Sequence, residues 1–361
     1  QPSQVSLKQV TESAHETADL TLPARGIIVA GDLQSESDSD AVKSIAHQLG
    51  WPIISEPTAN VHDDSHALAH GVLLLSSGKL PTPEAVLTFG TVGLSRPVLQ
   101  LLREADTYIA VHCDGQGPDV PDPVQSVQRI IQGIPTVSNE PDAKWLDLWL
   151  AQDQVAQQIV ANEFRHDSLT GPCASVALWN HLPADSRLVV AASWPVRHLE
   201  AYAANRPGVR VFGNRGVNGI DGLVSTAWGI AATCPQRTYL LVGDIAFLHD
   251  LAGLNVAESE SKPNLTVVVL DNDGGGIFSQ LEQGDAVYAE YFERIFGTPH
   301  GKDLWQLAES LGYASSRVTT QSELRNALES TDKIPGVHVI VALTGSRADE
   351  VAQIRAIASK V

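Results

Sequence analysis

The chain has 361 residues, 43% of them hydrophobic and 18% charged, with a formal net charge of −18. Such a composition suits a globular protein with a true core, and a length of this order suggests two domains at roughly 150 residues each. The acidity argues against nucleic acid and anionic membrane as partners, because both need a basic surface. No apolar run approaches the ~18 residues of a membrane span, and residues 1–20 lack the apolar core of a signal peptide. A cytoplasmic protein is the expectation. Cys113, Cys173 and Cys234 are spaced for neither a zinc site nor a disulfide framework, so they read as buried thiols. The chain starts at Gln1 and holds no methionine, which reads as a trimmed fragment.

In chain order, residues 1–22 read as a polar linker. An α/β rhythm follows: strand 25–30, helix 40–49, strand 51–55, strand 85–89, helix 96–104 and strand 107–112. Residues 115–123 form a loop rich in chain breakers, and 142–164 a long helix. The rhythm restarts with strand 188–192, helix 195–204, strand 209–212, helix 223–232, strand 239–242, helix 247–259 and strand 265–270. Helix 322–330, strand 337–343 and a C-terminal helix close the chain. Short buried strands alternating with helices predict two doubly wound, parallel-sheet α/β domains, over 23–165 and 166–361. Sheets of this kind bind ligands beyond the carboxyl ends of their strands.

Three loops should converge on one such edge: 193–197, 213–222, and the pair Gly243-Asp244 with 271–276. Asp244 follows a buried strand, and Asn272 ends the next one 28 positions later, before three glycines. Mg²⁺ takes about six oxygens in tight octahedral geometry, shared between protein and phosphate. Asp244 can offer a carboxylate, Asn272 a side-chain carbonyl and Gly274 a backbone carbonyl. The glycines let backbone approach a diphosphate closely, and amides after Asp244 can face its oxygens. Taken singly, Gly-Asp and Asn-Asp-Gly are ordinary turn sequences. Their pairing on two strand ends at crossover spacing favours a metal–diphosphate site.

Gly-Asp followed after 26 to 30 residues by Asn resembles the thiamine-diphosphate signature of the decarboxylase and acetolactate-synthase superfamily, with GDI here in place of GDG. The stretches NRGVNGIDG, VGDIAFLHDLAGL, DNDGGGIF and IFGTPHG are similar to the menaquinone-biosynthesis synthases of that superfamily. The resemblance implies a transferase whose cofactors are thiamine diphosphate and Mg²⁺ (or Mn²⁺). Its substrates would be 2-oxoglutarate, which is decarboxylated, and isochorismate, which accepts the resulting carbanion. It implies metal ligation by Asp244, Asn272 and Gly274, and cofactor contacts from Gly243, Asp244, Ile245, Ile220, Asn272, Gly274, Gly275, Ile277 and Phe278. For Ile220, Ile277 and Phe278, plain core packing is an equal reading. It further implies substrate contacts from Ser193, Arg197, Arg215 and Arg96, since guanidinium groups pair with carboxylates in bidentate fashion. Asp221 reads as a turn acceptor, and His249 and His300 as structural histidines more readily than acid–base groups. In the family a glutamate on an N-terminal pyrimidine-binding domain activates the cofactor. No stretch here resembles that domain, so the piece alone is expected to be inactive, and the complete protein to be a homodimer or homotetramer. An acetolactate-synthase-like or oxoacid-decarboxylase enzyme is the alternative within the superfamily. A nucleotide-binding or scaffold module is the alternative of another class, weakened by the lack of a G-x-G-x-x-G fingerprint.

Overall fold

The computed structural model describes residues 18–113, 122–214 and 218–361. It divides into two compact units, 1–153 and 154–361. The division falls within the helix Ala143–Glu163, whereas the sequence suggested a boundary near residue 165. No helix of the described residues is long and apolar enough to cross a membrane.

In the first unit the strands are β1 Asp19–Thr21, β2 Gly26–Ala30, β3 Ile53–Ser55, β4 Ala85–Phe89, β5 Tyr108–His112, β6 Arg129–Gln132 and β7 Thr136–Ser138. Five of them form a parallel sheet in the order β3-β2-β4-β5-β6. Every residue of β2, β4 and β5 is buried, as expected of strands covered by helices on both faces. The short β1 pairs in parallel with β7, so residues 19–21 of the expected linker are structured. Gly26 is required by packing, because a Cβ there would overlap the indole of the fully buried Trp51. Asp153 is buried and accepts from the amides of Ala69 and His70 at 3.0 and 2.8 Å, anchoring the start of a helix, Gly71–Ser77, that the sequence did not reveal.

The second unit carries β8 Ser186–Val190, β9 Val209–Phe212, β10 Thr238–Gly243, β11 Leu265–Asp271, β12 Ala314–Val318 and β13 Val337–Leu343. All pair in parallel, in the order β12-β13-β11-β10-β8-β9. The chain reverses its direction of travel between β8 and β10, and a crevice for ligands forms where such a reversal occurs. The core under this edge is apolar, with Val242, Phe247, Val267 and Val341 fully or almost fully buried. The helix expected over 247–259 is instead Asp244–His249 followed by a 3-10 turn, Leu251–Leu254. The cause is local. Asp250 caps the amide and hydroxyl of Ser225 at 2.8 and 3.1 Å, and Gly253 packs against Ser225 where a Cβ would lie 2.7 Å from its hydroxyl.

The helix Gln321–Thr331 opens with a complete capping box: Thr320 accepts from the Glu323 amide at 3.1 Å, and Glu323 accepts in turn from the Thr320 amide at 3.2 Å. Thr320→Ala is expected to cost about 1 kcal/mol. For a unit of this size that is a fall of roughly 2–4 °C in melting temperature. A scanning-calorimetry trace unchanged from wild type would refute the capping account.

Candidate cofactor and metal site

Ser193 follows β8 and precedes the helix Trp194–Tyr202, without a capping bond from its side chain. Its backbone is held at φ 70°, ψ −132°, a region that non-glycine residues rarely occupy. Arg197, one turn into the helix, donates to the Ser193 carbonyl at 2.9 Å, so these two expected substrate contacts form one local unit. Arg215 lies outside the described residues. Arg96 is exposed at the first turn of the helix Arg96–Glu104 in the other unit.

Asp244 is the first residue after β10 and is buried. Its Oδ1 accepts from the Ile245 amide at 2.6 Å and its Oδ2 from the Gly274 amide at 2.8 Å. The spacing seen in sequence therefore corresponds to direct contact between the β10 and β11 loops. Gly274 has φ 137°, and a Cβ there would overlap the Gly297 carbonyl; the Gly275 amide donates to that same oxygen at 2.7 Å. The Asn272 side chain donates to Glu350 Oε2 at 3.1 Å. Its Oδ1 is buried and accepts no hydrogen bond. A buried acceptor without a donor is costly, and a cation at that atom would remove the cost.

Two residues that the sequence reading gave no metal or cofactor role complete this cluster. Asp271, the last residue of β11, and His300 group with Asp244, their ligand atoms within 4.8 Å of one another. His300 Nε2 sits 3.4 Å from both Asp244 Oδ2 and Asp271 Oδ1. Burial and then the nearby Asp244 charge push the Asp271 carboxyl up to about 6. The interaction with Asp244, supported by the charges of Asp271 and Asp273, raises the imidazole of His300 above its ordinary value. Asp273 places that histidine by accepting from the His300 and Gly301 amides, each at 2.9 Å. His249 is exposed at the end of its short helix and takes no part.

Of the expected apolar wall, Ile220 packs against the core of the unit. Ile277 and Phe278 lie half-buried on the 3-10 turn Gly276–Gln280, with Phe278 5.5 Å from the ring of Phe296. A cavity of about 520 Å³ is lined by Asp271, Asn272 and His300 together with Arg317 of β12 and Arg347 of the C-terminal helix. Gly243, Asp244 and Ser193 are not among its walls.

The oxygen-rich donors Asp244, Asn272 and Asp271, with the glycine cradle beside them, fit Mg²⁺ and a diphosphate. Residues 3–190 match the family model described as the middle domain of thiamine pyrophosphate enzymes, and residues 196–342 the one described as the C-terminal thiamine pyrophosphate binding domain. The chain belongs to the thiamine pyrophosphate enzymes. Within them it resembles the 2-succinyl-5-enolpyruvyl-6-hydroxy-3-cyclohexene-1-carboxylate synthases. It is 36% identical to that synthase of a Nocardioides species, over 96% of this chain and 67% of the relative. It is 33% identical to the one of Enterococcus faecalis, over 94% of this chain and 61% of the relative. With that of Thermobifida fusca it shares 38% identity over 87% of this chain and 57% of the relative. The chain thus spans about three fifths of the length of such relatives. Among solved structures, a thiamin diphosphate-dependent enzyme isolated from Mycobacterium smegmatis matches with a TM-score of 0.59 and 18% identity, covering 89% of this chain and 61% of that one. At that identity the likeness concerns the fold.

Proposed function

We propose that this chain contributes the diphosphate- and metal-holding part of a carboligase that decarboxylates 2-oxoglutarate and joins the product to isochorismate. The observation that carries the proposal is the buried, partnerless Oδ1 of Asn272 on the loop whose Gly274 amide the buried Asp244 carboxylate holds at 2.8 Å. Asp244, Asn272 and the Gly274 carbonyl would hold Mg²⁺, with Asp271 and His300 adjoining. Gly243, Ile245, Gly274 and Gly275 would line the diphosphate, and Ile220, Ile277 and Phe278 the rest of the cofactor. Thiamine diphosphate, when bound, supplies the electron sink for the carbanion left by decarboxylation.

The chain's own work is then binding and orientation. Asp244 couples the two loops through the Gly274 amide, so that both loops are set before a ligand arrives. Preorganised groups avoid the cost of ordering at the moment of binding. Both substrates are polyanions in an acidic protein, so local arginines must supply the positive charge. Arg197, with Ser193 and Arg215, is assigned to the substrate carboxylates. The strained Ser193 backbone supports this assignment, since strain of this kind clusters at binding sites.

Two measurements test the reading. Calorimetry should detect thiamine diphosphate binding that depends on Mg²⁺, and the complete protein should consume 2-oxoglutarate only when isochorismate and both cofactors are present. Consumption without thiamine diphosphate would sink it. Arg197→Ala in the complete protein is expected to lower kcat/KM for 2-oxoglutarate by roughly ten- to a hundredfold, the value of a charge-assisted hydrogen bond of about 1.5–3 kcal/mol. Its affinity for thiamine diphosphate should stay near wild type. Lost cofactor affinity with normal substrate kinetics would reverse the assignment.

A further inference from the structure

Behind Asn272 runs a buried chain of polar side chains with no place in the scheme above. Glu350, in the first turn of the C-terminal helix Arg347–Lys360, is almost wholly buried. Its Oε2 accepts from Asn272 Nδ2 at 3.1 Å, and its Oε1 lies 3.0 Å from Nε2 of the equally buried His198, an ion-pair distance without hydrogen-bond alignment. His198 Nδ1 meets the hydroxyl of Ser175 at 3.2 Å, and Ser175 donates to the Gly171 carbonyl at 2.8 Å. The chain therefore links the end of β11 to the helix that follows β8.

Two glycines leave room for it. A Cβ at Gly171 would press on Glu350 Oε1 at 2.6 Å and on His198 Cε1 at 2.8 Å. A Cβ at Gly276 would lie 2.6 Å from Asn272 Nδ2. The helix Trp194–Tyr202 also clamps His198 from its own first turn, where Trp194 stacks on the imidazole at 5.3 Å and 15°.

An asparagine amide is nearly symmetric in shape, and its two ends have opposite chemistry: the NH₂ donates and the oxygen accepts. Only the oxygen can ligate a cation. A carboxylate accepts and cannot donate, so Glu350 holds the NH₂ end and leaves Oδ1 turned away, where it is buried without a donor. We propose that Glu350, braced by His198, is a positioning residue that fixes the Asn272 amide with its oxygen toward the metal. This inference rests on the assignment of Asn272 as a ligand.

The test uses the complete protein, with Mg²⁺ titrated calorimetrically at saturating thiamine diphosphate, and a melting curve for each variant. Partners behind metal ligands typically contribute about 10–100-fold in affinity. Glu350→Gln can present either end of its amide, so Asn272 loses its bias and Mg²⁺ affinity should fall about tenfold or more. Asn272→Asp should fall comparably, because its carboxylate would face that of Glu350. In the exchanged pair Asn272→Asp/Glu350→Gln, the glutamine NH₂ donates to one aspartate oxygen and frees the other, so affinity should recover to within about threefold of wild type. A purely structural glutamate gives no such rescue. Unchanged affinity in Glu350→Gln, or an exchanged pair binding no better than either single variant, overturns the inference. Should Glu350→Gln melt early, Gly171→Ala disturbs the same carboxylate from outside and should weaken Mg²⁺ with Asn272 intact; unchanged affinity there overturns it too. Wild-type affinity in Asn272→Ala is a different failure, since it removes Asn272 as a ligand altogether.

Discussion

Asp244→Ala is expected to abolish metal-dependent thiamine diphosphate binding while leaving the protein folded. The carboxylate has two tasks. It is the buried carboxylate proposed to ligate the cation, and its Oδ2 holds the Gly274 amide at 2.8 Å. Alanine removes the ligand and releases the loop together, so the loss should exceed the roughly 10–100-fold typical of a partner lying behind a ligand. The fold should tolerate the change, because the buried Asp271 carboxyl is already pushed up partly by the Asp244 charge, and removing a like charge relieves that repulsion. Asp244→Asn keeps the shape and an acceptor, and so should bind weakly where alanine does not bind measurably. Calorimetry on the three proteins, with melting temperatures alongside, checks the order. Wild-type Mg²⁺ dependence in Asp244→Ala would remove Asp244 from the metal site.

The central strands were legible because a parallel sheet covered on both faces writes continuous apolar runs. β4 Ala85–Phe89 and β13 Val337–Leu343 have the bounds read from sequence, as does the edge strand β9 Val209–Phe212, whose valines are buried in alternation. β12 Ala314–Val318 was not legible: it sits at a sheet edge, three of its first four residues are polar, and only Val318 is buried. The pairs β1 with β7 and β5 with β6 depend on register across more than fifteen residues, which no local pattern carries. The helix Gly171–His181 opens on Gly-Pro, which reads as a turn, although Thr170 caps it by accepting from the Cys173 amide at 3.3 Å. At the site, Asp244 and Asn272 were legible through spacing, since a crossover fixes the distance between neighbouring strand ends. In sequence Asp271 reads as the first residue of the loop after strand 265–270, with no ligand role, whereas it is the last residue of β11. His300 reaches the cluster only through the turn at Glu293–Thr298 and the amides that Asp273 holds. Glu350 reads as one more polar residue of an exposed helix turn until its partners on two other elements are known.

Gly274→Ala is expected to damage both the fold and cofactor binding, and its neighbour in function, Gly243→Ala, binding alone. Gly274 has φ 137°, where a side chain is strained by about 1–3 kcal/mol before any collision. Its Cβ would also overlap the Gly297 carbonyl, a backbone atom that cannot swing aside as a side-chain tip can. Either the 272–276 loop or the turn carrying Gly297 must move. Movement of the first withdraws the Gly274 amide from Asp244, and movement of the second breaks the 2.7 Å bond from the Gly275 amide to the Gly297 carbonyl. At roughly 2–4 °C per kcal/mol for a unit of this size, the melting temperature should fall by several degrees, and Mg²⁺-dependent thiamine diphosphate affinity should be lost as in Asp244→Ala. Gly243 is different. It has φ −78°, and a Cβ there would meet no heavy atom within 4 Å. The chain itself therefore does not require glycine at 243, and Gly243→Ala should melt like wild type. If the diphosphate lies against this backbone as proposed, the added methyl occupies the space it needs, and affinity should fall with no change in stability. Equal affinity in Gly243→Ala and wild type would move the diphosphate away from the Gly-Asp turn, whatever Gly274→Ala does.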